Sequence, residues 1–231
     1  MKVGVVLVAA GRGSRMGGLD KGAITIRGRS ALSYAIAAVA PVAQVIVVVA
    51  ADRVAAWETI RAEEAWPAQT EIVAGGAVRQ ASVRIGVAAL DSHGGCDVVV
   101  IHDGARPLVT TAMVGACVEA ALRDGAAILA VPVTDTIKRV RDGRIVETPD
   151  RASLWAAQTP QAFRWQLLHD AFAWSDRHSA APTTDEAGLI EAYGHPVVVV
   201  RGDRTNIKIT EPDDLVVATA LLKARMGQSD A

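Results

Sequence analysis

The sequence predicts an α/β protein: a Rossmann-like, mostly parallel sheet with helices on both faces and a projecting β-hairpin arm. Three observations carry that prediction. Short Val/Ile-rich runs recur along the 231 residues, with amphipathic stretches between them, and such alternation places crossover helices between parallel strands. The runs are nearly all apolar, as strands covered on both faces should be. One stretch breaks the rhythm with a charged, alternating pattern around Arg141-Asp142-Gly143-Arg144, and Asp-Gly between β-type residues is a strong hairpin signal.

In chain order, strands are expected at 3–10 (VGVVLVAA), 45–51 (VIVVVAA), 70–75 (TEIVAG), 97–103 (DVVVIHD), 127–133 (AILAVPV) and 196–202 (PVVVVRG). Helices are expected at 30–40, 53–65, 77–90, 110–124, 164–174, 184–193 and 212–226. Thr184 is the expected N-cap of its helix. Pro212 suits a first helical turn, where the helix dipole also favours Asp213 and Asp214. The hairpin segment, at about 133–151, holds many charges and little that belongs in a core. It reads as an arm that packs on a partner subunit or covers a site. Residues 1–226 make one domain, and 227–231 are expected to be a frayed tail.

Hydrophobic residues make up 51% of the chain and the net charge is −1. That supports a substantial core and supplies no bulk basic field for nucleic acid. No apolar run reaches the length of a membrane span, so no membrane partner is expected. Cys96 and Cys117 form no CxxC or metal-like spacing, and the five histidines are scattered. Zinc is not expected, and the cysteine usage suits a reducing cytoplasm.

The first strand runs into AAGRGSRMGGLDKG, where glycines crowd together with Arg12, Arg15 and Lys21. A secretory leader does not fit, because the apolar run is short and the residues after it are glycine-rich and basic. A dinucleotide fingerprint needs a third glycine where Met16 stands and an acid about 20 residues on, whereas Asp52 comes much later. A P-loop needs Gly-Lys-Ser/Thr, and Lys21 is followed by Gly22. Two readings remain, a solvated strand-to-helix turn with incidental charges and an anion cradle. Small residues let backbone N–H groups approach a polyanion, and Arg15 and Lys21 add full positive charges. The other strand tips bring AGGAVRQAS (74–82), HDGARP (102–107) and VPVTDTIK (131–138). Asp103 there suits either of two roles: a cap for the turn after the strand, or a magnesium ligand, since Mg²⁺ prefers one or two carboxylates plus substrate phosphate oxygens.

Taken together, AAGRGSRMGGLDKG, GGAVRQASV, HDGARP, VPVTDTIKRV, RASLWAAQTPQAF, TTDEA and NIKITEPDDL resemble the 2-C-methyl-D-erythritol 4-phosphate cytidylyltransferases. These enzymes belong to the non-mevalonate route to isoprenoids. The matches run in family order from residue 3 to about 222. The resemblance implies a CTP cradle at Ala10, Gly11 and Gly13, with Arg15 and Lys21 at the α-phosphate. It implies nucleotide contacts from Gly75, Ser82, Asp103 and Gly104, with Mg²⁺ or another divalent cation on Asp103. It places Arg106, Thr136, Thr184 and Lys208 around the sugar-alcohol phosphate. It also makes the hairpin a homodimerisation arm, from which Arg151 reaches the neighbouring subunit's site. Arg15, Lys21, Arg151 and Lys208 would be the catalytic cations. The chain departs from the family pattern at Asp20 and Gly22, where Pro-Lys-Gln is usual, and in a shorter interval from Arg15 to Lys21.

The implied reaction transfers CMP from CTP to 2-C-methyl-D-erythritol 4-phosphate and releases pyrophosphate. The nucleophile is already an anion at neutral pH, so no strong general base is required, in keeping with the absence of a His–Asp or Ser–His pattern. What the reaction needs is positioning and preorganised positive charge. Two alternatives share the motifs: a ribitol 5-phosphate cytidylyltransferase, and a CTP-binding homologue with weakened catalysis.

Overall fold

A computed structural model describes residues 1–11, 21–179 and 181–229. Its core is a seven-stranded sheet formed by β1 (Val3–Ala9), β4 (Gln44–Val49), β5 (Thr70–Ala74), β6 (Val98–Asp103), β7 (Ala126–Pro132), β10 (Trp155–Arg164) and β11 (Val198–Arg201). The strand order is β11-β7-β10-β6-β1-β4-β5. β1 pairs in parallel with both β4 and β6, so that Val5 lies beside Val45 and Val100. The six strands expected from the sequence are all present, with ends shifted by one or two residues.

Alternation along these strands fills two cores. Val5, Leu7, Val45, Val47, Val98 and Val100 face one side. There they meet α1 (Ala31–Val39), Trp57 of α2 (Val54–Glu63) and α4 (Thr111–Asp124). Val6, Ile46, Val48, Val99 and Ile101 face the other, against α3 (Arg79–Ser92), α5 (Trp165–His178) and α6 (Glu186–Tyr193). Each strand therefore buries apolar side chains on both faces, and the sequence reads as unbroken apolar runs. A smaller cluster seats α7 (Pro212–Ser229) through Ala218 and Leu222 against Ile26, Leu108 and Ile209. Asp214 holds the start of α7, accepting from the N–H groups of Thr210 and Glu211 at 2.7 and 2.9 Å. The helix continues three residues past its expected end at 226.

Three differences from the sequence reading have physical causes. β10 shows in the sequence only as a motif, yet it lies between β6 and β7 and is antiparallel to both. Pro160 argues against a central strand because it has no N–H to donate. Here the pairing with β6 begins at Gln161, and the pairing with β7 passes from Ala157 to Gln161. Proline therefore falls in the gap. Second, Thr184 is not the cap of α6. Asp185 is, accepting from the Gly188 N–H at 2.9 Å, and a carboxylate there also faces the positive end of the helix dipole. Third, a two-residue ladder of β2 (Thr25–Ile26) and β3 (Arg29–Ser30) precedes α1.

The hairpin forms as expected, from β8 (Arg139–Arg141) and β9 (Arg144–Glu147). Asp142 and Gly143 at its tip have φ of 51° and 73°, and positive φ at both central residues is what a tight I′ turn requires. Arg139 and Glu147 pair across it at 2.8 Å. Its apolar side chains stand open among the described residues: Val140, Ile145 and Val146 are 57%, 62% and 53% exposed.

Candidate active site

The carboxyl ends of β1, β4, β5 and β6 open on one cavity of about 770 Å³, and small-molecule sites typically measure about 300–1,000 Å³. One wall is small and apolar: Ala9, Ala10 and Gly11 follow β1, while Gly75, Gly76 and Ala77 follow β5. Gly75 permits that closeness. A Cβ there would lie 2.7 Å from Ala10 Cβ and 2.9 Å from Ser82 Oγ. The Gly76 N–H donates to Ser82 Oγ at 3.2 Å, which ties the β5 tip to α3. Val78, at the N-cap of α3, offers no side-chain cap, and the helix dipole favours an anion there.

The opposite wall is charged. Asp103, the last residue of β6, is 7% exposed. Lys208 Nζ donates to its Oδ2 at 2.7 Å. Arg79 Nε lies 3.5 Å from Oδ1 and Arg106 Nε 4.0 Å from Oδ2. Burial alone would raise the Asp103 carboxyl, but Lys208, Arg79 and Arg106 outweigh it and hold the pKa at about 2. Asp103 is therefore an anion throughout the neutral range.

Each partner is placed by local structure. The Ile209 N–H donates to the Ala105 carbonyl at 2.8 Å, which lays the NIKIT segment along the β6 tip and turns Lys208 to Asp103. Arg106 Nη1 donates to the Asn206 carbonyl at 2.7 Å. Burial lowers the Arg106 pKa while Asp103 opposes the change. Asn206 is buried and donates to the Thr159 carbonyl at 2.9 Å. The Thr159 hydroxyl accepts from the Asp103 N–H at 3.0 Å. His102 Nε2 faces the Arg106 carbonyl at 3.4 Å. A carbonyl only accepts, so Nε2 carries the proton and Nδ1 accepts from the Thr159 hydroxyl at 3.0 Å. Full burial pushes the His102 pKa down to about 4. The imidazole is neutral and structural at neutral pH.

Of the residues expected at the site, Ala10, Gly11, Gly75, Ser82, Asp103 and Lys208 line the cavity. Gly104 sits just behind it, its N–H donating to the Val8 carbonyl at 3.0 Å. Arg106 braces the charged wall from outside the lining. Thr136 and Thr184 are exposed and do not line the cavity. Arg151 Nη1 donates to the Thr134 carbonyl at 2.6 Å, at the base of the hairpin. Gly13, Arg15, Asp20 and the Lys21 side chain lie outside what is described.

Arg79 of the charged wall and its buried partner Glu186 do not stand out in the sequence. Arg79 lines the cavity from the first turn of α3, and its Nη1 donates to both carboxylate oxygens of Glu186, at 2.9 and 2.7 Å. Glu186 is 2% exposed. Burial works against the Arg79 charge, but Glu186 and Asp103 together raise its pKa. Burial pushes the Glu186 carboxyl upward against the pull of Arg79. Both residues lie inside quoted motifs, GGAVRQASV and TTDEA. The signal is present there, but their pairing across 107 positions is not.

Among the described residues no group of three or more His, Cys, Asp or Glu is placed to hold a metal ion. The Asp103 carboxylate on the cavity wall still suits Mg²⁺, because that ion completes its shell with substrate phosphate oxygens and water. No helix among them is long and apolar enough to cross a membrane.

Comparison with known proteins agrees with this geometry. The sequence profile described as "IspD: 2-C-methyl-D-erythritol 4-phosphate cytidylyltransferase" matches residues 3–224. Proteins named 2-C-methyl-D-erythritol 4-phosphate cytidylyltransferase are similar over nearly the whole length. One from Bacillus velezensis is 43% identical, covering 98% of this chain and 98% of that one. One from Syntrophotalea carbinolica is 46% identical, covering 96% and 97%. The crystal structure of the cytidylyltransferase from Thermus thermophilus superposes with a TM-score of 0.79 at 34% identity, over 96% of this chain and 100% of that one. A 4-diphosphocytidyl-2C-methyl-D-erythritol synthase from Anaerococcus prevotii gives 0.83 at 29%, over 96% of each chain. A cavity at the parallel strand tips, walled by glycines on one side and by Lys208, Arg79 and Asp103 on the other, and a match from residue 3 to 224 lead to one conclusion: this chain belongs to the 2-C-methyl-D-erythritol 4-phosphate cytidylyltransferase family.

Proposed function

We propose that the protein transfers CMP from CTP to 2-C-methyl-D-erythritol 4-phosphate, giving 4-diphosphocytidyl-2-C-methyl-D-erythritol and pyrophosphate. The observation that carries this reading is the cavity itself, with close-packed backbone on one wall and Lys208, Arg79 and Asp103 on the other. The small wall admits the nucleotide, with the backbone around Gly11, Gly75 and Gly76 against it. Arg15 and Lys21 are the cations assigned to the α-phosphate, where charge builds as pyrophosphate leaves. Lys208 gives up part of its hold on Asp103 to take the incoming phosphate. These fixed cations act where charge develops, which is worth about 10²–10³ in kcat for a single donor.

Asp103 would hold Mg²⁺; bound with the triphosphate, the ion would neutralise phosphate oxygens and orient the leaving group. Asp103 is suited to that because it stays ionised at neutral pH. The acceptor side draws on Arg106, Thr136, Thr184 and the arm. Thr136 and Arg151 lie away from their own chain's cavity, and the exposed Val140, Ile145 and Val146 leave the arm an apolar face to dock. Both features fit a homodimer in which Arg151 serves the neighbouring site, where an arginine fork suits a phosphate.

Pyrophosphate release measured with CTP, Mg²⁺ and either polyol phosphate tests the assignment. Turnover with methylerythritol phosphate at least about tenfold above ribitol 5-phosphate is expected, a difference of about 1.4 kcal/mol in transition-state binding. Turnover of ribitol 5-phosphate alone, or CTP binding without pyrophosphate release, would overturn it.

A further inference from the structure

We infer that Arg79 is a positioning residue for this transfer: anchored on the buried Glu186 carboxylate, its guanidinium fixes the Asp103 carboxylate at the cavity wall, so that Lys208 can exchange Asp103 for a substrate phosphate. The inference rests on the cytidylyltransferase reading of the site. It starts from a conflict of duties. Lys208 makes the closest ion pair to Asp103, at 2.7 Å, and Lys208 is also the cation assigned to the incoming phosphate. Once it turns to the phosphate, Asp103 keeps its burial and loses its nearest counter-charge. Arg79 and the more distant Arg106 are then the side-chain cations that remain beside it, and a buried charge without such partners is strongly destabilising.

Arg79 removes that conflict. Its Nε side faces Asp103 Oδ1 at 3.5 Å, while its Nη1 is committed to both oxygens of Glu186. Glu186 cannot readily follow a moving cation. It is 2% exposed and sits in the first turn of α6, where the dipole favours it. The turn is itself fastened to β10: Gln161 Nε2 donates to Asp185 Oδ2 at 2.8 Å, and Gln161 Oε1 accepts from the Ala187 N–H at 3.2 Å. One guanidinium thus ties α3, which follows the nucleotide wall, to the β6 tip and to α6, which follows Thr184. A buried ion pair is poor evidence for a stabilising role, since apolar replacements often do as well. Its placement on the cavity wall is what argues for positioning. A lysine has no fork to span two carboxylates.

The test compares Arg79→Lys with the double variant Arg79→Met/Glu186→Gln, which removes the cation together with the carboxylate it neutralises. The double variant is expected to fold and to lose kcat by about 10- to 100-fold, the range seen when groups that orient a ligating side chain are removed. KM for CTP should stay within about threefold, as it does when binding is spared and transition-state geometry is not. Arg79→Lys should fail to rescue kcat, and it decides the question if the double variant does not fold. Wild-type kcat in either variant would overturn the inference. So would a loss confined to KM for CTP, which would make Arg79 a simple nucleotide contact. Ratios are taken on whichever polyol phosphate the wild type uses. The wild type's own turnover therefore judges the functional reading, and the ratio judges Arg79.

Discussion

His102 and Asp103 are chain neighbours whose titrations are displaced in the same direction for opposite reasons. Asp103 is drawn to about 2 because cations surround its anion. His102 is drawn to about 4 because burial excludes its cation. For His102 the unfolded chain takes up a proton near its ordinary 6.5 that the folded chain refuses until about 4. Its contribution is therefore complete above 6.5 and lost as pH falls through that window, about 3 kcal/mol by linkage. Urea unfolding of the wild type and of His102→Asn across about pH 7 to 4 checks this. The wild type should lose about 3 kcal/mol more than the variant across the window, and parallel losses would contradict it. At this scale much is readable in advance. Asp103 and Lys208 are expected at the site from their motifs and do line the cavity. Arg79 and Glu186 do not stand out, because their roles arise from an ion pair between distant segments.

Apolar periodicity exposes the elements that bury both faces and conceals the one that does not follow that rule. β1, β4 and β6 are legible because their neighbours in the sheet and the helices on both faces demand Val and Ile throughout. β10 carries Gln158, Thr159 and Gln161 in its buried stretch, and instead of filling a core Thr159 supports the β6 tip, Gln161 the start of α6 and Gln158 the segment from Asp203 to Asn206. Its sequence therefore looks like a motif and folds as a strand. The hairpin is legible from Asp142-Gly143 alone. Its expected fate at a dimer interface yields a prediction. Deleting Asp142 and Gly143 should shift sedimentation from dimer to monomer and lower kcat by at least about tenfold, the cost of misplacing a phosphate-holding group. A deletion variant that stays dimeric and fully active would count against the arm.

For the molecule as a whole, the sheet solves an electrostatic problem without a large net charge. The chain carries −1 overall, yet two anionic substrates must meet on it. Open α/β sheets bind ligands outside the carboxyl ends of their strands. Here four such ends converge on one cavity, and in the proposed mechanism its backbone amides and few cations do what bulk charge does not. The central claim is that this cavity holds the triphosphate. A crystal structure with CTP and Mg²⁺ tests it most directly. The phosphates should lie between the Gly11–Gly75 wall and Lys208, with the metal on Asp103 and the Lys21 side chain turned toward the α-phosphate. A triphosphate bound elsewhere, with this cavity empty and Lys208 still paired to Asp103, would contradict the account.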